Sequence, residues 1–399
     1  MNGPVRAAPA GRHRHAFGTA ALAPVLLLAG LLAGAGPAPP AQAVDQLLVR
    51  VGIVVDRPSI RISCTGPVAA SDSGPGGAMT LAGTEWTVLP APGGLDIGGT
   101  GLGPIVRLVP QSGFLKVDGR AYRGTIELRH TAGGLVTAVN VLDLESYLYG
   151  VIKGEIDPRW PPEAVKAQAV AARTLAVERL SDPPPAATAA GYDLAATTDA
   201  QVYLGAGGED RAGNAAVDAT RAVLVTYEGR PIFAAYHSNS GGHTEDSENV
   251  WGSVYPYLRG VPDPFALGAP GWTWSAAVPL ATMEAALRRG GVDVAALDQI
   301  ELGRTTPWGR AITVRLVGAD GRLQEFNANR FRLLVGAGLI RSTMFTTARR
   351  GADLEFSGRG SGHGVGLDQW GARAMAARGF TYEQILKYYY AGVAVEQRY

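Results

Sequence analysis

The run Lys153-Gly154-Glu155-Ile156-Asp157-Pro158-Arg159-Trp160 is a polar constellation just ahead of a long apolar segment, and its carboxyls, Glu155 first, could do acid–base work. Apolar neighbours such as Ile156 and Trp160 raise a carboxylic acid's pKa, and a proton donor near neutral pH needs that. Asp157 offers a second carboxylate, the pair that many hydrolases use, but Asp157-Pro158 equally makes a turn. Glu155 as a plain surface charge is the competing interpretation. Lys166 and Arg173 lie two helical turns apart, so they share one face about 10 Å apart along the axis. Cations on so apolar a segment need partners. Glu155 or an anionic ligand would serve, and so would Asp143, Glu145 or Glu163. His237 and His243 flank Ser238-Asn239-Ser240-Gly241-Gly242, which reads either as a metal loop or as a hydrogen-bonding one. His363 sits between Gly362 and Gly364, either touching a ligand or buried against main chain.

The common enzyme templates are absent. No H-E-x-x-H, C-x-x-C or G-x-S-x-G occurs, and Gly98 to Gly103 lacks the spacing of a nucleotide loop. Cys64 is the only cysteine, which excludes an intramolecular disulfide framework and reads as a buried thiol. With 36 basic and 35 acidic side chains the protein is no wrapper of polyanions, so nucleic acid is not an expected partner.

The elements that must hold these residues follow from texture. Residues 44–136 alternate apolar and polar in short runs, among them Leu48–Val55, Phe114–Val117 and Thr125–Arg129, cut by Gly-rich turns, and so read as antiparallel β structure. Pro161 and Pro162 suit a first helical turn with Glu163 favouring its dipole, and a helix apolar nearly all round is expected to about residue 180. Ala222–Tyr227 and Ile232–Tyr236 read as strands. Residues 268–356 look like an α+β insert, with a helix near Ala281–Arg289 and a strand near Ala311–Leu316. A Gly-rich loop, Gly358 to Gly366, leads into helices at Leu367–Ala377 and Tyr382–Tyr390. The fold class is therefore α+β. Ahead of it, Arg6, Arg12 and Arg14, an apolar stretch densest at Leu22–Leu32, and Ala41-Gln42-Ala43 form an export signal over 1–43. The competing membrane anchor over Ala16–Gly36 is weakened by Pro24 and its glycines. No stable membrane insertion is expected after cleavage.

Three segments carry a family likeness. Val141-Leu142-Asp143-Leu144-Glu145-Ser146-Tyr147 through Gly154-Glu155 and Trp160-Pro161 to Gln168-Ala169-Val170-Ala171-Ala172-Arg173-Thr174 resembles the SpoIID/LytB family. Ala235-Tyr236-His237-Ser238-Asn239-Ser240-Gly241-Gly242-His243-Thr244, on to Trp251, is similar to its central loop. Gly358-Arg359-Gly360-Ser361-Gly362-His363-Gly364 to Leu367-Asp368-Gln369-Trp370-Gly371-Ala372 is similar to its C-terminal signature. The likeness covers 137–267 and 357–399 and does not reach the first part of the chain or the insert.

That resemblance implies an exported protein of the periplasm or cell wall acting on peptidoglycan glycan strands. It is either a lytic transglycosylase with Glu155 as its acid and base, or a non-catalytic enhancer partnering a cell-wall amidase. Lys166 and Arg173 fall on helix positions tied to activity in the family, and Lys166, Arg173, His237, Ser238, His363 and Gln369 are expected to bind substrate. Some members hold zinc through Cys and His, but here Ser238 and Ser240 are poor ligands, so neither metal nor cofactor is expected. Ser361 stands where many relatives carry tryptophan.

Overall fold

The computed structural model describes residues 47–399, apart from 73–76, 182–184, 198–199 and 293–295. The expected export signal lies outside the described residues. The first third folds as the alternation requires. Strand β1 (Leu48–Arg57) pairs antiparallel with Leu135–Asp143, followed across the sheet by Thr125–Thr131, Ile105–Pro110 and Val68–Asp72. A second sheet is built around Ile60–Ser63 and Glu85–Ala91. In Glu85–Ala91 the side chains of Trp86 and Val88 turn inward while Glu85, Thr87 and Leu89 face out, so one face joins a shared core with Val49, Val51, Ile62 and Leu128. Cys64 is buried there.

Strand Leu135–Asp143 runs straight into helix α1 (Leu144–Glu155), an element the sequence pattern did not single out. Asp143 caps it by accepting from Ser146 N at 3.0 Å. Its buried Leu144, Tyr147, Leu148, Val151 and Ile152 recur at helical spacing, so one stripe faces the core. Helix α2 (Pro162–Ser181) is buried on two sides. Val165, Ala169, Ala172 and Ala176 pack with the sheets and α1. Ala167, Val170, Ala171 and Leu175 pack into a second core with Ile232, Met375, Ile385 and Tyr389. This is why α2 has no polar face. Ile232–Ala235, expected as strand, is buried coil, because only Tyr236–His237 finds a ladder partner, the parallel strand Leu367–Asp368.

The insert has its own core around Met283, Leu287, Val314, Phe331 and Phe356. Helix Leu280–Arg289 and strand Thr313–Gly318 fall close to their expected places. One of its two three-stranded sheets among the described residues is Thr273–Pro279, Asp353–Arg359 and Phe345–Arg350, and the central strand runs past residue 356 into the Gly-rich loop. The helices Gln369–Ala377 and Tyr382–Tyr389 close the second core. Among the described residues no helix is long and apolar enough to cross a membrane.

One ion pair ties the helices together. Arg173 has no exposed surface and donates through Nε and Nη2 to both Glu145 oxygens at 2.8 and 2.7 Å. Its remaining donors reach Val217 O, Thr220 Oγ1 and Val223 O, and Tyr399 OH donates to Glu145 at 2.9 Å. Removing one partner of such a buried pair strands the other charge, at a cost of about 3–5 kcal/mol. Arg173→Ala is therefore expected to lower unfolding free energy in urea titrations by that order, while Arg173→Met paired with Glu145→Leu costs much less. Equal losses in the two proteins would contradict this account.

Candidate functional site

Glu155 ends α1, and two glycines on that helix decide its surroundings. A Cβ on Gly150 would sit 2.5 Å from the Tyr203 ring, and one on Gly154 would sit 2.7 Å from Val202 O. Only glycine at these two positions, one turn apart, lets segment 202–203 lie against the helix. The close approach brings Val202 N–H to Glu155 Oε1 at 2.8 Å.

The rest of the surroundings are neutral donors. Tyr236 hydrogen-bonds the carboxylate through its hydroxyl. That hydroxyl accepts from Gln201 Nε2 at 3.2 Å, and Gln201 Oε1 accepts from Tyr147 OH at 3.0 Å. Burial pushes both phenols well above their ordinary pKa, with Glu155's charge adding to it, so both keep their protons and remain donors. Half-buried Glu155 is itself raised, mainly by desolvation, with the Val202 and Tyr236 hydrogen bonds working the other way.

The cations go elsewhere. Lys166 pairs with Glu163 at 2.7 Å, and the other Glu163 oxygen accepts from Tyr382 N, pinning the start of α2 to the last helix. Arg173, expected at substrate, is instead sealed in the interior with Glu145, because α2 is covered on both sides. Asp157 forms the turn rather than an acid pair. Its carboxylate binds Arg159 at 2.7 Å in the open, and that side-chain contact holds its pKa down to about 2.

Tyr236 links Glu155 to the remaining candidates. Next along the strand, His237 is buried, with Nδ1 donating to Val365 O at 3.1 Å and Nε2 without a partner among the described residues. His363 lies 5.5 Å away, ring to ring, and accepts from Val365 N through Nδ1. Desolvation, helped for His237 by the neighbouring His363 and for both by Arg310 and Arg332, holds both imidazoles neutral, His363 down to about 3. Neither offers positive charge to an anion. Half-buried Ser238 accepts from Trp370 N at 3.2 Å through its carbonyl, and buried Gln369 donates to Gln168 at 3.3 Å.

The donor set does not fit a zinc ion. His243 donates Nδ1–H to Thr244 O and has its ring covered by Trp308, and Cys64 lies in the N-terminal core beside Ser112. Sequence reasoning missed Tyr236, Gln201 and a surface platform near the turn after α1. There the Trp160 and Trp370 rings lie 4.8 Å apart with the Arg373 guanidinium over both. Two partly exposed indoles suit the apolar face of a sugar ring. Tyr236 and Trp370 stood inside motifs already quoted, but nothing in one dimension pointed Tyr236 at Glu155 or Trp370 at Trp160.

Behind the loop lies a pair of acids. Ser240 N donates to Asp368 at 2.6 Å and Ser240 Oγ to Asp263 at 2.9 Å, with Tyr389 OH also on Asp263. Both carboxyls are fully buried. Burial first, then the charge and hydrogen bond of Asp263, hold Asp368 well above the usual carboxylate range, so Asp368 keeps its proton. A raised folded-state pKa means that this contribution to stability is complete below the ordinary aspartate value and is lost as pH rises through the folded value. The thermal midpoint is expected to fall over that rise, and Asp368→Asn, which keeps a donor toward Asp263, should flatten the profile. Parallel profiles for the two proteins would remove the Asp368 proton from the account.

Residues 132–227 match the family model described as Stage II sporulation protein, SpoIID. The chain is 31% identical over 272 residues to Stage II sporulation protein D of Bacillus amyloliquefaciens, covering 65% of this chain and 76% of that one. It is 30% identical over 342 residues to the amidase enhancer of Bacillus subtilis, covering 73% and 47%. An uncharacterised protein of Brachyspira hyodysenteriae is 33% identical over 285 residues, 71% and 74%. The match to the model opens on the strand that feeds α1 and closes after the segments that lock Arg173, so it spans the frame that positions Glu155. The chain belongs to the SpoIID/LytB family.

Proposed function

We propose that this protein remodels peptidoglycan outside the cytoplasmic membrane, cleaving the glycan strand as a lytic transglycosylase with Glu155 as the single acid and base. One observation carries this: a carboxyl whose pKa is raised by burial, held by neutral donors with no cation beside it among the described residues. Protonated, Glu155 gives its proton to the glycosidic oxygen as the bond from that oxygen to the anomeric carbon of the muramic unit breaks. The resulting carboxylate then takes the proton of that unit's own hydroxyl as it closes on the anomeric carbon. The proton returns to Glu155, no water is consumed, and one carboxyl suffices where ordinary glycosidases use two. Val202 N–H and Tyr236 OH would fix the carboxyl and steady it in its charged phase. The Trp160–Trp370 platform with Arg373 gives the sugar backbone an apolar seat and its carboxylates a cation.

A second reading, in which the protein binds the wall and enhances an amidase without breaking bonds, is favoured by the likeness to the amidase enhancer over most of this chain. Purified protein on glycan strands stripped of peptides separates the two. Under the first reading anhydromuramic products are released, and Glu155→Gln lowers their rate by at least about 10²-fold, the ordinary contribution of a positioned acid. The wild-type rate should fall as pH rises through the raised pKa of Glu155, because the reaction starts from its protonated form. No release, with faster peptide removal by an added amidase, would replace the first reading by the second.

A further inference from the structure

The insert builds a cleft of about 740 Å³ where the sheet of Thr273–Pro279, Asp353–Arg359 and Phe345–Arg350 enters the Gly-rich loop, within the size range that holds small ligands. The sheet turns its large aromatic side chains inward: in the central strand Gly358 is flanked by buried Trp274 and Phe345, and a Cβ at Gly358 would lie 2.4 Å from the Trp274 ring, so glycine lets that ring lie against the strand. The walls carry the exposed hydroxyls of Ser275, Thr346 and Ser357.

The rim is set by Arg359 and the Trp308-Gly309 turn. Arg359 donates to Trp308 O at 3.1 Å, and the Trp308 ring stacks face to face on His243 at 3.8 Å, leaving 45% of the residue exposed. No carboxylate lines the cleft, and Arg359 is its one cation among the described residues. The Trp308 ring held flat on His243, the hydroxyl donors and a lone guanidinium suit a saccharide bearing an occasional carboxylate.

The cleft is continuous in the chain with the site of Glu155. Arg359 is two residues from Ser361, which bridges to Asn239, three residues from Tyr236 on Glu155. By chain length the two places are at most on the order of 20 Å apart, a span that one glycan strand can bridge.

We propose that this cleft is a distal subsite of the insert that grips the same glycan strand, with Trp308 under a sugar ring and Arg359 on a lactyl carboxylate. The proposal rests on the glycan reading for its ligand but not on cleavage. The test measures binding of short and long peptide-free glycan strands, and of long N-acetylglucosamine oligomers, to the full mature protein. Wild type, Trp308→Ala and Arg359→Ala are compared with Ser357→Arg, which fills the cleft from an exposed position and leaves the core untouched.

Long strands should lose about tenfold in affinity with each variant, as expected for a contact of that size, while short strands that reach only the Glu155 region bind as before. Arg359→Ala should matter for glycan strands and little for the uncharged oligomers, which carry no lactyl group. Unchanged long-strand affinity in Trp308→Ala and Ser357→Arg would overturn the subsite even if Glu155-dependent cleavage is seen. Loss of binding in those variants without any cleavage by wild type would keep the subsite and overturn the transglycosylase. A wild type that binds no glycan at all would overturn both.

Discussion

The buried contact between Arg173 and Glu145 is the constraint on which the rest of the molecule turns. A guanidinium with no exposed surface must have every donor answered inside the protein, and the answers come from α1, from the segment 217–223 and, through Tyr399, from the C-terminus. These elements are distant in sequence, so satisfying one residue fixes their mutual placement. Glu145 lies in the first turn of α1 and Glu155 in its last, which makes the helix a rigid spacer between the lock and the candidate acid.

At the far end of that spacer the electrostatics are reversed. Glu145 is matched by a cation, whereas Glu155 is held by an amide and a phenol. The same residue type on the same helix thus meets two environments, and that of Glu155 favours keeping a proton. Gly150 and Gly154 produce the second by admitting segment 202–203, and α2, with Ala172 O taking Gln201, holds that segment's neighbour in place.

The insert is welded to this frame by charge as well as by apolar packing. Arg310 has almost no exposed surface, donates to Ser240 O at 2.7 Å and lies against Gly364, where a Cβ would collide with its guanidinium. It therefore sits between the central loop and the C-terminal signature, the two motifs that frame the histidines. Burial lowers its pKa to about 10 and Glu245 nearby works against that, so it stays charged at neutral pH and helps keep His237 and His363 uncharged. The insert is thus part of the site's electrostatics.

The linear sequence by itself determined the strands of the first third, because alternation has a fixed period and one buried face, and the two-sided burial of α2, because a helix without a polar stripe has no face to give to water. It also singled out Glu155 through its motif and its greasy neighbours. The helical stripe Leu144, Tyr147, Leu148, Val151 was equally present, but Gly150 and Gly154 disguised α1 as a break. Tertiary structure alone decided which carboxylate each cation would take, since Glu163, Glu145 and Glu155 were all within a flexible side chain's choice until packing fixed the distances. It alone brought Tyr236 and Val202 to Glu155, and Trp370 to Trp160, because contacts between residues tens to hundreds of positions apart leave no period or spacing to read.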